Sequence, residues 1–326
     1  MAGNWHRVLR CDPRPALLET GEDALDYFTR RDVLGEAVPA VEILWELPVP
    51  LRLVRQQQND GSWKYRGQTS GAVPGQNYSL LETFRSLGVL VEQYSLTCAH
   101  PAVQKAAEYV LSCQTAEGDI RGILGNQYMP YYHGALLELL IKAGLGQDLR
   151  VRAGLAWLLS VRQDDDGWIV PAQAVPSKER TSDFWSGAPV PPDHSRPHAH
   201  LATGMVLRAL AAHPEYRTRP ESIAAGLALK SRFFRADRYN DRKAPSYWFK
   251  FQFPFWWSNL LTALDSLAQM GFDQADADIA RGLDWFSIHQ ENDGLWPTGY
   301  GSGRKAKSNR CWVGLAICRM LKNFYD

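Results

Sequence analysis

Nowhere is this sequence apolar for long enough to cross a membrane. Its opening residues, MAGNWHRVLRCDPRP, contain no uninterrupted apolar run of the kind a secretory signal requires. No sign of charge dominates: 36 basic residues face 35 acidic ones for a formal net charge of +1, which excludes the bulk attraction that draws basic proteins to nucleic acid. Cysteine is scarce and unpatterned. The five, at 11, 98, 113, 311 and 318, are odd in number and lack zinc-knuckle or redox spacing, so they read as reduced thiols filling core. Together these absences predict a cytoplasmic protein without nucleic-acid partners or a transmembrane segment; peripheral attachment to a membrane stays compatible with them.

What the sequence does have is aromatic side chains, 12 Trp, 13 Tyr and 12 Phe, and an internal repeat. RGLDWFSIHQENDGLW (281–296) says again what RAGLAWLLSVRQDDDGW (152–168), KAAEYVLSCQTAEGDI (105–120) and LVRQQQNDGSW (53–63) say: a helical phrase, Gln, polar residues, Gly and usually Trp. Recurrence at intervals of roughly fifty to sixty residues marks a repeat architecture. Helices before each glycine turn are mixed in polarity and are expected outside. Those after it are short, apolar and flanked by aromatics, and are expected inside.

Read in order, residues 15–35 form one or two short amphipathic helices, and 42–55 a helix kinked at Pro48 and Pro50. A Gly/Ser-rich linker (67–75) leads to 77–90, where Leu80, Leu81, Phe84 and Leu87 share one face and Ser79, Glu82, Thr83 and Ser86 the other. Residues 220–234 look like a degenerate copy that has lost its Gln and Gly-Trp. The proline-rich stretch 171–197 is the longest irregular segment, and loops of that length inside compact domains usually carry function. The expected fold is all-α: an α/α toroid of five to six hairpins spanning 1–326 as one domain, with residues 1–40 as a helical extension packing on the ring. Each Gln is expected to satisfy orphan groups at a helix end, with the Trp stacked over it.

These phrases resemble the QW motif of squalene–hopene and oxidosqualene cyclases, in which a basic residue, Gly and an aromatic precede Gln and Gly-x-Trp. The wider likeness is to the α/α-toroid superfamily of triterpene cyclases, class II diterpene cyclases and the β subunits of protein prenyltransferases. LDYFTRRDVLG, LRALAAHP and RCWVGLAICRMLK are similar to compact bacterial prenyltransferase/squalene-oxidase-repeat proteins. The resemblance implies an isoprenoid substrate. The DxDD acid of class II cyclases is absent, however, and Asp164, Asp165 and Asp166 lie in a glycine turn. Arg304 and Lys307 match the G-R-x-x-K diphosphate segment of the prenyltransferases, while Arg310 stands where their zinc-binding Asp would be.

Candidate site residues follow from placing the aromatic-flanked helix starts in the lumen. Tyr128, Tyr131, Tyr132, Trp248, Phe253, Phe255, Trp256, Trp257, Tyr300 and Trp312 would hold an apolar substrate or a developing cation. Arg304, Lys305, Lys307 and Arg310 would hold an anionic head at a helix N-terminus. For proton transfer the candidates are Glu82, Glu138, Asp183, His133 and an Asp193–His198–His200 group. His194, His198 and His200 could instead bind a divalent ion, zinc or magnesium. The leading expectation is terpenoid-cyclase-like acid/base and carbocation chemistry on a prenyl diphosphate or polyprene. The alternatives are a carbohydrate lyase or hydrolase using Tyr131, His133 and His198, and a non-catalytic lipid-binding relative. A homodimer or a capping subunit is compatible with each.

Overall fold

The computed structural model describes residues 5–67, 74–239 and 242–326, so most of the 67–75 linker lies outside the described residues. Among the described residues twelve helices pair into six hairpins, odd-numbered outside and even-numbered inside, and two short helices, Pro171–Ala174 and Ser182–Ser186, lie in the long loop. The outer helices are α1 (Arg14–Leu18), α3 (Pro48–Arg55), α5 (Pro101–Ser112), α7 (Leu149–Ser160), α9 (Pro220–Lys230) and α11 (Ala277–Ile288). The inner helices are α2 (Asp23–Phe28), α4 (Tyr78–Gly88), α6 (Pro130–Leu140), α8 (His200–Ala212), α10 (Leu260–Gln269) and α12 (Arg304–Tyr325). This is an all-α toroid. Burial follows the ring assignment: α8 is buried from His200 through Ala211, whereas α7 buries one stripe, Val151, Gly154, Leu155, Trp157 and Leu158.

Local chemistry places the boundaries. Pro begins α3, α5, α6 and α9, where its missing N–H is no loss. Pro48 therefore starts α3 and does not kink a longer helix; residues Val41–Glu46 form a separate 3₁₀ turn and Leu47 is extended, as the residue before proline prefers. Asn77, Asp148, Asn259 and Asp276 cap α4, α7, α10 and α11 with side-chain oxygens.

The repeated phrases are joints between hairpins. Gln57 Nε2 donates to the Gly61 carbonyl in its own turn and to Ala102 at the start of the next outer helix, and Gln114 does the same to Gly118 and Arg150. Gln290 reaches Gly294 and Cys11. The N-terminal residues, expected as an extension, thus supply a hairpin of the ring, and α2 packs on α12 to close the circle. The tryptophans have a further task at the joints. Trp63, Trp168 and Trp296 each donate their indole N–H, at 2.7–2.8 Å, to a carbonyl ten residues earlier in the last turn of the outer helix. In the degenerate copy Trp248 donates instead to the Arg235 carbonyl at 2.9 Å, thirteen residues earlier and past the end of α9.

Candidate functional site

The segment 251–256, just before α10, crosses the interior of the ring. Trp256 meets Phe84 of α4 edge-on, the Tyr131 hydroxyl of α6 donates to the Trp256 carbonyl at 2.5 Å, and Arg208 of α8 donates to the Phe255 carbonyl at 3.3 Å. Phe253 stacks on Trp312 of α12 with ring centroids 5.3 Å apart. The aromatics expected to line an open lumen therefore plug it. Phe253 borders two spaces among the described residues: a mouth groove of about 780 Å³ and, at the other end of the inner helices, an open-sided chamber of about 510 Å³.

The chamber is central because nearly every inner helix contributes to it. Arg31 and Asp32 follow α2, Glu92 follows α4 and Lys142 follows α6; α10 adds Leu261, Asp265 and Gln269, and α12 adds Ala316, Arg319 and Lys322. Those first four charged residues sit on π-helical turns, Thr29–Leu34, Val89–Gln93 and Ile141–Leu145, that extend three inner helices. Such turns are rare and recur at functional sites.

Its charges are mostly paired. Glu138, behind the wall, lies 2.7 Å from Arg208, and both side chains are 5% exposed. Lys142 bridges Glu138 and Glu92 at 2.8 Å each. Burial would raise the Glu138 carboxyl, but Arg208 and Lys142 outweigh it and hold Glu138 ionised, below the usual carboxylate range. Asp265 differs. Its carboxylate accepts from Gln269 at 2.7 Å, and no salt bridge reaches it among the described residues. Burial pushes its pKa up; Lys142 opposes this, while the charges of Glu138 and Glu92 reinforce it. Burial therefore shifts Asp265 toward its protonated form. No sequence motif marked it, since its phrase LLTALDSLAQ reads as an ordinary amphipathic helix.

The residues picked from sequence are dispersed. Glu82 does not face an apolar cavity; it is partly exposed and pairs with Arg85 at 3.3 Å. Thr83 and Ser86, from the same polar stripe, are buried, and the Thr83 hydroxyl takes the Trp63 N–H. His133 is fully buried between two backbone partners: Nδ1 accepts from Ile120 and Nε2 donates to the Gly154 carbonyl, both at 3.0 Å. Burial lowers its pKa to about 4. It does for its turn what Thr83 and Thr203 do for theirs, so it is a neutral strut.

The Asp193–His198–His200 group does not assemble. Asp193 is exposed and binds Ser195 and Arg196, His198 faces Asp165 at 3.0 Å, and His200 lies 3.6 Å from Asp237 and stacks on Trp248. Burial lowers both histidines, His200 to about 4. His194 is exposed and its Nδ1 lies 2.6 Å from the Arg162 carbonyl. No cluster of metal-ligating residues occurs among the described residues, so the His194–His198–His200 zinc or magnesium site is not formed. Asp183 is an exposed residue of a short helix.

Of the binding candidates, Tyr128 lies outside the lumen, bonded to Glu117 at 2.5 Å over Trp157. Trp248 belongs to the joint described above. Tyr131, Tyr132, Phe253, Phe255 and Trp256 meet at the plug, and Trp257 lies beside Tyr300. Arg304 and Lys305 line the mouth groove with Tyr300 and Trp312, whose indole donates to Glu22. Lys307 is exposed and is absent from the groove lining; Arg310 is tied to Asp293 and Glu291 of the glycine turn, so neither joins them. The four cations do not converge because successive helical positions point in different directions.

No described protein family matches the chain, and no curated protein is similar to it in sequence. Solved structures similar in fold include a protein from Actinoplanes, 19% identical over 83% of this chain and 96% of that one, with a TM-score of 0.32. Another is the type II terpene cyclase MstE from Scytonema, 13% identical over 84% of this chain and 95% of that one, with a TM-score of 0.32. A variant of MstE in complex with geranylgeranyl dihydroxybenzoate superposes over the same shares at 13% identity and a TM-score of 0.34. Likeness at this level is no guide to chemistry, which has to be read from the residues of this chain.

Proposed function

We propose that this protein carries out proton-initiated chemistry on an isoprenoid, as terpenoid cyclases do, with Asp265 as the acid. One observation carries the reading: Asp265 borders the chamber with no ion pair of its own among the described residues and burial raises its pKa, while the neighbouring carboxylates already have their cations. A carboxyl shifted toward its protonated form beside apolar walls is a candidate proton donor. The Phe253 and Phe255 rings border the same cavity and face developing positive charge with their quadrupoles. Tyr131, His133 and His198, which a sugar-cleaving site would need together, each hold separate partners. The plug favours one competing reading, a relative that binds a lipid without turning it over.

The test is product analysis by gas chromatography and mass spectrometry after incubation with farnesyl and geranylgeranyl diphosphates, the corresponding prenyl acids and squalene, with and without Mg²⁺. A cyclised product whose formation falls about a hundredfold or more in Asp265→Asn supports the proposal. Equal turnover in the variant removes Asp265 from the mechanism. Tight binding with no product in any arm establishes the lipid-binding reading instead.

A further inference from the structure

One wall of the chamber holds more cations than carboxylates. The Asp32 carboxylate serves both Arg31, at 2.6 Å, and Arg319, at 2.5 Å, while Lys322 Nζ bonds the Asp32 backbone carbonyl at 2.7 Å. Two guanidinium groups thus share one carboxylate, and the Lys322 ammonium beside them has only a backbone carbonyl. Glu92 of the lining and Glu138 behind it are engaged with Lys142 and Arg208. Both guanidinium carbons lie 4.8 Å from the Phe28 ring centre, which fixes the planes of Arg31 and Arg319. A guanidinium carries five N–H donors, and two of them together offer more than the oxygens of Asp32 can accept. All three cations line the chamber.

We infer that this wall, Arg31, Arg319 and Lys322, is the site for an anionic group of the ligand, a carboxylate or phosphate whose oxygens match the guanidinium forks. The inference rests on the isoprenoid reading above and sharpens it. The substrate is an amphiphile whose charged end sits at the α2–α12 wall, while its hydrocarbon lies toward Asp265 and the Phe253–Phe255 plug. An anion there is drawn by the excess charge, and it leaves the proton donor on the neighbouring helix, α10, beside the chain. The mouth groove, with Arg304 and Lys305, is the entrance and not the anion's resting place.

Titration of the full chain, followed by tryptophan fluorescence, would compare farnesol, farnesoic acid, farnesyl monophosphate and farnesyl diphosphate. The expected result is binding of one or more of the anionic forms roughly ten- to a hundredfold tighter than the alcohol. That preference should collapse in Arg319→Gln and in Lys322→Gln, while affinity for farnesol stays unchanged. Lys322→Gln guards against misfolding, since it loses a single bond to a backbone oxygen. The preference should survive Arg304→Gln combined with Lys305→Gln. Which acid or phosphate binds tightest identifies the group. Equal affinity for alcohol and anions, a preference that vanishes only in the mouth variant, or no binding of any form would each overturn the inference. Anion-dependent binding without product would leave this site standing while the proton-initiated reading fails; product formation with no anion preference would do the reverse.

Discussion

Asp166 stands in left-handed backbone, φ +70°, at the place that Gly61, Gly118 and Gly294 occupy in the other turns. The hydrogen-bond register shows why: Gln163 N–H donates to the Gly167 carbonyl as Gln58 donates to Ser62, so this phrase is one residue out of step with its spelling. Arg162, not Gln163, sits in the joint and reaches the Glu221 carbonyl of the next outer helix at 3.4 Å, while Gln163 holds the long loop at Asp193 and Arg196. Left-handed backbone disfavours L side chains, so Asp166→Gly should stabilise by about 0.5–1 kcal/mol. Gly61→Ala should do the opposite, because a Cβ there would lie 2.2 Å from the Lys105 carbonyl oxygen. Denaturant midpoints of the two variants check both signs. His133 offers a pH test at the same scale. Its folded pKa, about 4, lies below the unfolded value of about 6.5, so the unfolded chain binds the proton first as pH falls. The fold should lose about 3 kcal/mol from this group as pH drops from 6.5 to 4, and the loss should be smaller in His133→Asn.

Between elements, the glutamine joints and the buried ion pair make separable contributions. Gln290 ties α11 to the N-terminal segment, so Gln290→Ala should speed amide exchange of residues 9–18 and leave the α5–α6 hairpin protected, as read by mass spectrometry. Across the α6–α8 contact, Glu138→Gln or Arg208→Met should each cost about 3–5 kcal/mol, because the partner is left charged and unpaired in the interior. Replacing both with methionine should recover most of that loss. A double replacement no better than the single ones would mean that the polar pair specifies the packing as well as balancing charge.

At the scale of the whole molecule, stability and chemistry pull on Asp265 in opposite directions. Its folded pKa is raised, so the native state binds the proton more tightly and loses stability as pH rises through that pKa. Asp265→Asn should therefore raise the melting temperature at pH 7 while lowering turnover, a trade expected of a strained functional group. Turnover in the native protein should fall as pH rises and the acid empties. Below about pH 5 the buried histidines His133 and His200 would begin to unfold the ring. A turnover profile that climbs steadily with pH would rule out a protonated Asp265 as the working form.

The repeated phrases were legible in sequence because a joint needs the same few side chains wherever two hairpins meet, and the inner and outer helices were legible because burial imposes a period of 3.6. Those two signals determine the toroid. The candidate site was read less well. Aromatic residues near helix starts implied a lined cavity, but whether 251–256 lines the lumen or fills it depends on where a segment between helices folds back. Histidine clusters looked like chemistry because the sequence does not show the backbone groups that occupy both nitrogens of His133. Asp265 was silent because a carboxyl becomes an acid only through desolvation and through neighbours brought from Glu92, Glu138 and Lys142. Likewise Arg31, Arg319 and Lys322 form one wall only because the first hairpin closes the ring on the last helix. Local pattern decides which elements form and which faces they bury; the charges of the first and last hairpins meet only once the circle is complete.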